Sequence, residues 1–447
     1  MLHRRVARSF TGSFVASLVV ASLAFAQQGD PGARLGLDPK QVTAQLAPEV
    51  AEFTVREGFE VTVAVPGPEN ARFMEFGDDG TLYVSRPRAG DILALRDTDG
   101  DGIYEDARQF IEDMTSVHGL CWHDGYLWFT TTSGIYRAKD ADGSGMADTI
   151  EEIISGLPGE GSHWWRSILV TDEHIFTSVG DSGNITDERA TDRQKIWRFS
   201  KSGSDKTLWA SGVRNTEKLR LRPGTSEIWG VDHGSDMFGD TLGEDRGMNQ
   251  PITDSLPPDE LNRYDQGAFY GHPFFVGDRI PRPEFRELPD LLELAARTVV
   301  PQWRFAAHSA SNAFTFVDPV IASKSNALSA DFAGDMIVAQ RGSWNRTSPS
   351  GYAIVRVMFD KDPKFGGVPI GEQTLVKTIA QGPEGPRALA RPVDCVQAPD
   401  GSILFSVDLP RGRIYRLRAI ATGASATPAV TPTEKPTSES KPTPAQP

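Results

Sequence analysis

A chain of 447 residues with 60 acidic and 46 basic side chains carries a formal charge of −14, which argues against nucleic acid and anionic membranes as partners. Its two cysteines, Cys121 and Cys395, lie far apart in sequence and read as buried free thiols rather than a metal or redox pair.

Residues 1–26 combine Arg4, Arg5 and Arg8 with an apolar stretch over Phe14–Leu23 and end in Ala24-Phe25-Ala26. This is the pattern of a secretory signal cleaved near Ala26, too short for a membrane anchor. Residues 27–52 read as an N-terminal linker, and no other stretch is apolar for long enough to span a bilayer. The expectation is a mature chain in the periplasm or secreted, without a transmembrane segment.

From residue 53 a phrase recurs: a polar turn followed by alternating apolar residues. It appears as GDDGTLYVSR, HDGYLWFTT, TDEHIFTSVG, GTSEIWGVD, FAGDMIVAQ and PDGSILFSVD. An Asp-Gly turn before period-two apolar residues reads as a tight β-hairpin. Partner strands follow, among them GDILALRD, SGIYRAKD, RQKIWRFS and GRIYRLRA. Self-similarity at a period in the forties is the signature of propeller blades. Residues 53–420 are therefore expected to be all-β: a six-bladed β-propeller of four-stranded antiparallel blades. A β-sandwich of repeated hairpins is the competing reading. Between the fourth and fifth phrases, residues 237–328 are rich in Pro, Asp and Glu and read as a loop and helix insertion, with PDLLELAART at helical spacing.

Two successive blades carry RDTDGDGIYEDA and KDADGSGMADT. Asp97, Asp99 and Asp101 alternate before Gly102, as oxygen ligands do in the first half of a calcium loop, but the twelfth position is Arg108 where a bidentate Glu is needed. The other reading is an Asp/Gly turn closed by its own Asx hydrogen bonds. Asp140, Asp142 and Asp148 form a poorer copy, and both loops are expected to be structural. The tail, residues 421–447, contains no aromatic side chain and reads as a disordered extension.

The chemistry-bearing residues sit at loop edges. Gly161-Ser162-His163-Trp164-Trp165-Arg166 precedes the third phrase, and Arg214-Asn215 precedes the fourth. Asp232-His233-Gly234-Ser235 closes that hairpin, and Glu260-Leu261-Asn262 comes before Tyr270-Gly271-His272-Pro273. In this order the motifs, over about Phe53 to Arg418, resemble the glucose/sorbosone dehydrogenase family, quinoprotein sugar dehydrogenases on a six-bladed propeller that use pyrroloquinoline quinone (PQQ) and calcium. By itself His163 reads as a loop histidine satisfied by main chain. The resemblance implies that it is the general base taking the proton of the sugar's anomeric hydroxyl while hydride moves to the quinone. Arg214 and Asn215 are implied at the reactive carbonyls, where a fixed cation stabilises developing oxygen charge. The main-chain carbonyls of Gly234 and Ser235 are implied calcium ligands, with Ser235 standing where such relatives have Pro. Glu260, which alone reads equally as a capping carboxylate, and the backbone of Tyr270 match a second calcium position. Arg391, Arg341 and His118 are implied to line the cofactor pocket, Arg341 where relatives have Lys or another polar residue.

The function so implied is PQQ-dependent oxidation of an aldose or aldehyde-like sugar of the sorbosone or glucose type. With no Cys-x-x-Cys-His haem motif, electrons would pass to an external acceptor, a quinone or cytochrome. Two other classes stay open: a calcium-dependent propeller lactonase or hydrolase, and a non-enzymatic propeller binding a carbohydrate or protein.

Overall fold

The computed structural model describes residues 48–420 apart from 66, 239–251, 325–327, 363, 365–366 and 409–411. The signal segment, nearly all of the expected linker, part of the expected insertion and the tail lie outside the described residues. Among the described residues no helix is long and apolar enough to cross a membrane.

Six sheets, each built on four antiparallel strands, form the blades; Thr54–Val55 adds a fifth strand to blade five and Ala268–Phe269 a parallel one to blade three. Blade one consists of Met74–Phe76, Leu82–Arg86, Asp91–Arg96 and Asp106–Ile111; blade two of Leu120–His123, Tyr126–Thr130, Ile135–Lys139 and Thr149–Ile154. Blade three is built from Leu169–Val170, His174–Val179, Lys195–Ser200 and Thr207–Ser211, and blade four from Thr216–Leu221, Ile228–Asp232, Pro258–Arg263 and Trp303–Ala307. Ser311–Phe316, Met336–Gln340, Ala353–Phe359 and Pro369–Lys377 form blade five. Blade six takes Pro392–Gln397, Ile403–Val407 and Arg413–Ala419, and its outer strand is Phe59–Val65 from the start of the propeller. First strands of successive blades touch all the way round, six to one included. Tying the first strand to the last closes the ring, so neither chain end leaves an open sheet at the closure.

Local sequence explains the hairpins. In blade two His123 pairs with Tyr126 across the two-residue turn Asp124-Gly125, both at positive φ (53° and 72°). That is the left-handed pair an Asn/Asp-Gly turn supplies to match strand twist. Middle strands are covered on both faces by neighbouring blades, so Met336–Gln340 and Ile403–Val407 are buried at every position. The core lies between blades, as where Val84, Leu93 and Leu95 of blade one meet Val396, Leu404 and Ile414 of blade six. Polar groups on the first strands pair across the axis: Lys218 Nζ lies 2.6 and 2.7 Å from the Asp394 carboxylate oxygens. All six turn phrases form the hairpin between the first two strands of a blade.

The segment 237–328, expected between blades four and five, holds half of blade four and the first strand of blade five. The extra chain is spliced inside blade four, once after Asp232 and once after Arg263. A hairpin, Phe275–Val276 with Ile280–Pro281, and the helix α1, Leu291–Arg297, lie on the second excursion. Leu294 of α1 is buried against Phe269, Phe274 and Phe275, while Leu292 stays 86% exposed. Residues 48–52, assigned to the linker, form a 3-10 turn fastened to blade six, where Tyr415 Oη donates to Glu49 at 2.6 Å.

Candidate active site

Loops that precede first strands and loops that join second to third strands emerge at one end of the propeller. They enclose a cavity of about 320 Å³ whose lining includes Arg72, Arg88, Trp165, Arg214, Glu217, His233, Gly234, Asp259, His308, Arg341, Trp344, Arg391 and Asp408. Five of these are guanidinium groups in a protein of net charge −14.

Arg214 is buried, 4% exposed. Its Nε and Nη2 donate to the main-chain and side-chain oxygens of Asn184 at 3.0 and 2.7 Å, and Nη1 donates to the Gly234 carbonyl at 2.9 Å. Asp232 fixes the turn behind it, accepting from the main-chain N–H groups of Arg214 and Asn215 at 2.8 and 2.7 Å.

His163 stands beside this turn. Its Nδ1 lies 2.8 Å from the Asp181 carbonyl oxygen, an atom that only accepts, so Nδ1 carries the proton and Nε2 keeps its lone pair. Burial and then the Arg214 charge lower its pKa to about 3. The loop is held from beneath by Arg166, fully buried, whose Nη1 donates to the His163 carbonyl at 3.0 Å. Gly180 permits the approach: a Cβ there would meet the Arg214 carbonyl at 2.7 Å and His163 Cβ at 2.8 Å. The Asp181 side chain is anchored in turn by His272 Nε2 at 2.7 Å and Gln194 Nε2 at 2.9 Å. His163 flanks the cavity wall without lining it; Trp165 and Arg214 line it.

The opposite wall is an ion chain. Arg72 donates to Glu217 at 3.0 Å and to Asp408 at 3.2 Å, and Arg341 reaches the same Asp408 oxygen at 3.0 Å. Arg391 donates to the carbonyls of Arg341 and Gly342 at 3.1 and 2.6 Å and, among the described residues, has no carboxylate within ion-pair distance. Burial pushes the Glu217 carboxyl up, but Arg72, the nearby histidines and the Asn215 amide outweigh it and hold it at about 2. Glu217 is thus a fixed anion on the cavity floor.

Two expected pocket residues sit under that floor. His118, 1% exposed, donates from Nδ1 to the Arg166 carbonyl at 3.2 Å and packs between Phe73 and Trp165, with ring centroids 4.2 and 4.3 Å away. It supports Trp165 and does not line the cavity. Asn215 is likewise covered, and its amide nitrogen lies 3.2 Å from both Glu217 Oε1 and His233 Nδ1.

Behind Arg214 a second space of about 20 Å³ is bounded by Asp232, Gly234, Ser235, Glu260, Tyr270 and His272 among others. That is room for one water or one ion. Glu260 is half-buried, accepts from Gly277 N–H at 2.8 Å and Asn262 Nδ2 at 3.4 Å, and has its pKa raised to about 8 by desolvation and then by Asp232. Two carboxylates, Asp232 and Glu260, beside the Gly234 and Ser235 turn at a small polar void offer oxygen donors of the kind that fit a hard divalent cation. Ser235, whose carbonyl was an implied calcium ligand, is held by its hydroxyl, which accepts from Arg282 Nη1 at 2.5 Å and donates to the Met237 carbonyl at 3.0 Å.

The acidic loops lie at the other end, between third and fourth strands. Asp97, Asp99 and Glu105 gather there, as do Asp140, Asp142 and Asp148. Asp101, expected as a ligand, instead caps Ile103 N–H at 2.8 Å, and Asp97 accepts from Gly100 and Gly102 N–H at 2.8 Å each. The Asx-turn reading accounts for these bonds, and Glu105 takes the place assigned to Asp101.

Sequence reasoning missed Arg72, Glu217, Asp259, His308, Trp344 and Asp408 in the cavity wall. His308 and Ala310 carried no motif, yet both adopt positive φ (58° and 51°) in the loop before blade five, a strained conformation for non-glycine residues that clusters at functional sites.

The family model "Domain of unknown function (DUF7133)" matches residues 46–268. An uncharacterized protein of Borreliella burgdorferi is 24% identical over 388 residues, covering 81% of this chain and 90% of its own. The holo PQQ domain of pyranose dehydrogenase from Coprinopsis cinerea superposes with a TM-score of 0.68 at 19% identity, covering 82% of this chain and 97% of that one. A calcium structure of a Trichoderma reesei carbohydrate-active enzyme of family AA12 gives 0.68 at 20%, with coverages of 82% and 97%. These likenesses establish a shared propeller architecture, and the resemblance drawn from the sequence motifs points to the same group of proteins.

Proposed function

We propose that the chain is a PQQ-dependent sugar dehydrogenase that oxidises an aldose or aldehyde-like sugar and passes the electrons to an external quinone or cytochrome, in the periplasm or outside the cell. The observation that carries this reading is His163, fixed by Asp181 with its Nε2 unprotonated, beside Arg214 at the edge of an arginine-lined cavity.

The residues present fit the cofactor. Three carboxylates call for cations, and among the described residues Arg391 and Arg88 have no carboxylate within ion-pair distance, while Trp165 adds an aromatic ring to the wall. When bound, PQQ would supply a two-electron acceptor for the hydride leaving C1 of the sugar. His163 Nε2 takes the hydroxyl proton, and the Asp181 carbonyl stabilises the imidazolium through Nδ1–H. Arg214 holds positive charge where oxygen charge develops, and its three hydrogen bonds keep it from reorienting. Glu260, Asp232 and the Gly234 and Ser235 turn would hold calcium in the small space behind it.

The test is to titrate the purified chain with PQQ and Ca²⁺ and follow dye reduction with a panel of aldoses. Sugar-dependent reduction that needs PQQ supports the reading. Absence of PQQ binding in the presence of Ca²⁺ rejects it.

A further inference from the structure

The loop joining the second and third strands of blade five, residues 341–352, displays an aromatic ring in the cavity wall. Trp344 is 59% exposed, whereas its neighbours Ser343 and Asn345 are buried. Among the described residues it is the one exposed aromatic side chain. Among them, too, its ring meets no second ring or guanidinium and its indole N–H meets no acceptor.

The loop that carries the ring is fixed. The N–H groups of Gly342 and Ser343 donate to the carbonyls of Ser309 and Ser350 at 2.9 Å each, and Tyr352 Oη donates to the Ser343 carbonyl at 2.6 Å. Asn345 Nδ2 donates to the Asp236 main-chain carbonyl. That bond ties the Trp344 loop to a second lining residue, since the Asp236 side chain also lines the cavity. Its carboxylate lies 3.5 Å from Arg214 Nη2, and the side chain is 43% exposed against 5% for Arg214. The two exposed groups therefore stand at the mouth, with the Arg214 guanidinium further in.

An indole face offers apolar area at little conformational cost and suits the C–H face of a pyranose. A carboxylate accepts from sugar hydroxyls. The same carboxylate disfavours an anion such as PQQ at this point, because like charges brought together are penalised.

We propose that Trp344 and Asp236 form a subsite for a neutral saccharide at the cavity mouth, the indole stacking on a pyranose ring and the carboxylate accepting from its hydroxyls. That the occupant is a substrate rests on the proposed function; that it is a neutral hydroxylated ring does not.

The experiment titrates methyl glycosides of one and two glucose units into the full chain, with and without PQQ and Ca²⁺, and reads Kd by saturation-transfer NMR. Their blocked anomeric oxygen prevents oxidation, so binding is read apart from turnover. Trp344→Ala should weaken the glycosides about tenfold, the worth of one ring contact, and leave PQQ affinity unchanged. Trp344→Tyr keeps a ring and should stay within about threefold of the wild type. Asp236→Asn should narrow the margin by which the neutral glycosides outbind the corresponding glucuronide. The KM values of monosaccharide and disaccharide substrates locate the ring. A rise in both under Trp344→Ala puts the oxidised unit on the indole, and a rise for the disaccharide alone puts the adjoining unit there. Wild-type glycoside affinity in Trp344→Ala, or weaker PQQ with glycoside affinity unchanged, overturns the subsite. A fall in urea-unfolding free energy in Trp344→Ala would show the ring to be packed on the fold and overturn it as well. A wild type that binds the glycosides through Trp344 but does not bind PQQ rejects the proposed function and leaves the subsite standing.

Discussion

His163 Nδ1 lies 2.8 Å from the main-chain carbonyl of Asp181, whose own side chain is held by His272 at 2.7 Å. A main-chain acceptor cannot rotate away or take up a proton, so it fixes the tautomer as long as the loop keeps its shape. The close approach at Gly180 and the Arg166 hydrogen bond to the His163 carbonyl secure that shape.

His163→Ala should leave PQQ affinity near wild type and lower turnover about 10²–10⁴-fold, the usual contribution of a general base. Single-turnover reduction at saturating PQQ is the measurement. A wild-type rate there would remove His163 from the mechanism.

Arg214→Ala should reduce turnover about 10²–10³-fold, the loss seen on removing an oxyanion donor, and should also weaken PQQ. It releases Asn184 and the Gly234 carbonyl together. This double effect distinguishes it from His163→Ala, and an intact cofactor affinity would confine Arg214 to the chemical step.

Chelation should abolish PQQ-dependent turnover and weaken PQQ binding, because the small space bounded by Glu260 and Gly234 opens behind Arg214. Glu260→Gln should reproduce the effect by raising the Ca²⁺ concentration needed for half activity. PQQ affinity unmoved by chelation would limit calcium to a role in stability.

Burial lowers the His118 pKa to about 3 against an ordinary value near 6.5. Above pH 6.5 the ring is neutral folded and unfolded and contributes no pH dependence. As pH falls from 6.5 toward 3 the unfolded chain binds the proton and the folded chain does not, so stability drops by about 1.4 kcal/mol per pH unit. His118→Asn should flatten the fall in urea-unfolding free energy between pH 6.5 and 4.5 by about one proton. An unchanged slope would show that the ring titrates in the folded protein.

Cys121 and Cys395 are 5% and 0% exposed, and burial pushes the Cys121 thiol up to about 12 and Cys395 higher still. Thiolate is the reacting species. The folded protein should therefore resist a thiol reagent that labels two sites in denaturant, and rapid labelling of either in native buffer would contradict the burial.

Much of the architecture is legible in the chain because hairpins are local. Asp124-Gly125 sets its turn with two residues, and the six turn phrases announce the first-to-second-strand hairpins in order. The loop-edge motifs are legible because they flank these hairpins: His163 lies in the loop before the first strand of blade three, Arg214 just before that of blade four, and His233 directly after the second strand of blade four. What lies between Asp232 and Ser311 is less so. There half of blade four is separated by excursions whose length hides the period, and only pairing of Pro258–Arg263 with both Ile228–Asp232 and Trp303–Ala307 identifies the strands.

The cavity wall belongs to tertiary structure alone. Arg72, Glu217, Asp408 and Arg341 come from blades one, four, six and five, and their carboxylates and guanidinium groups become neighbours only when the ring closes. Sequence order carries no trace of such a chain because each link spans a different blade boundary. The same closure sends His118 beneath Trp165 instead of into the cavity. Spacing along the chain determines which turns form; whether a side chain at a turn meets solvent, a neighbour or a bound molecule depends on the blades on either side.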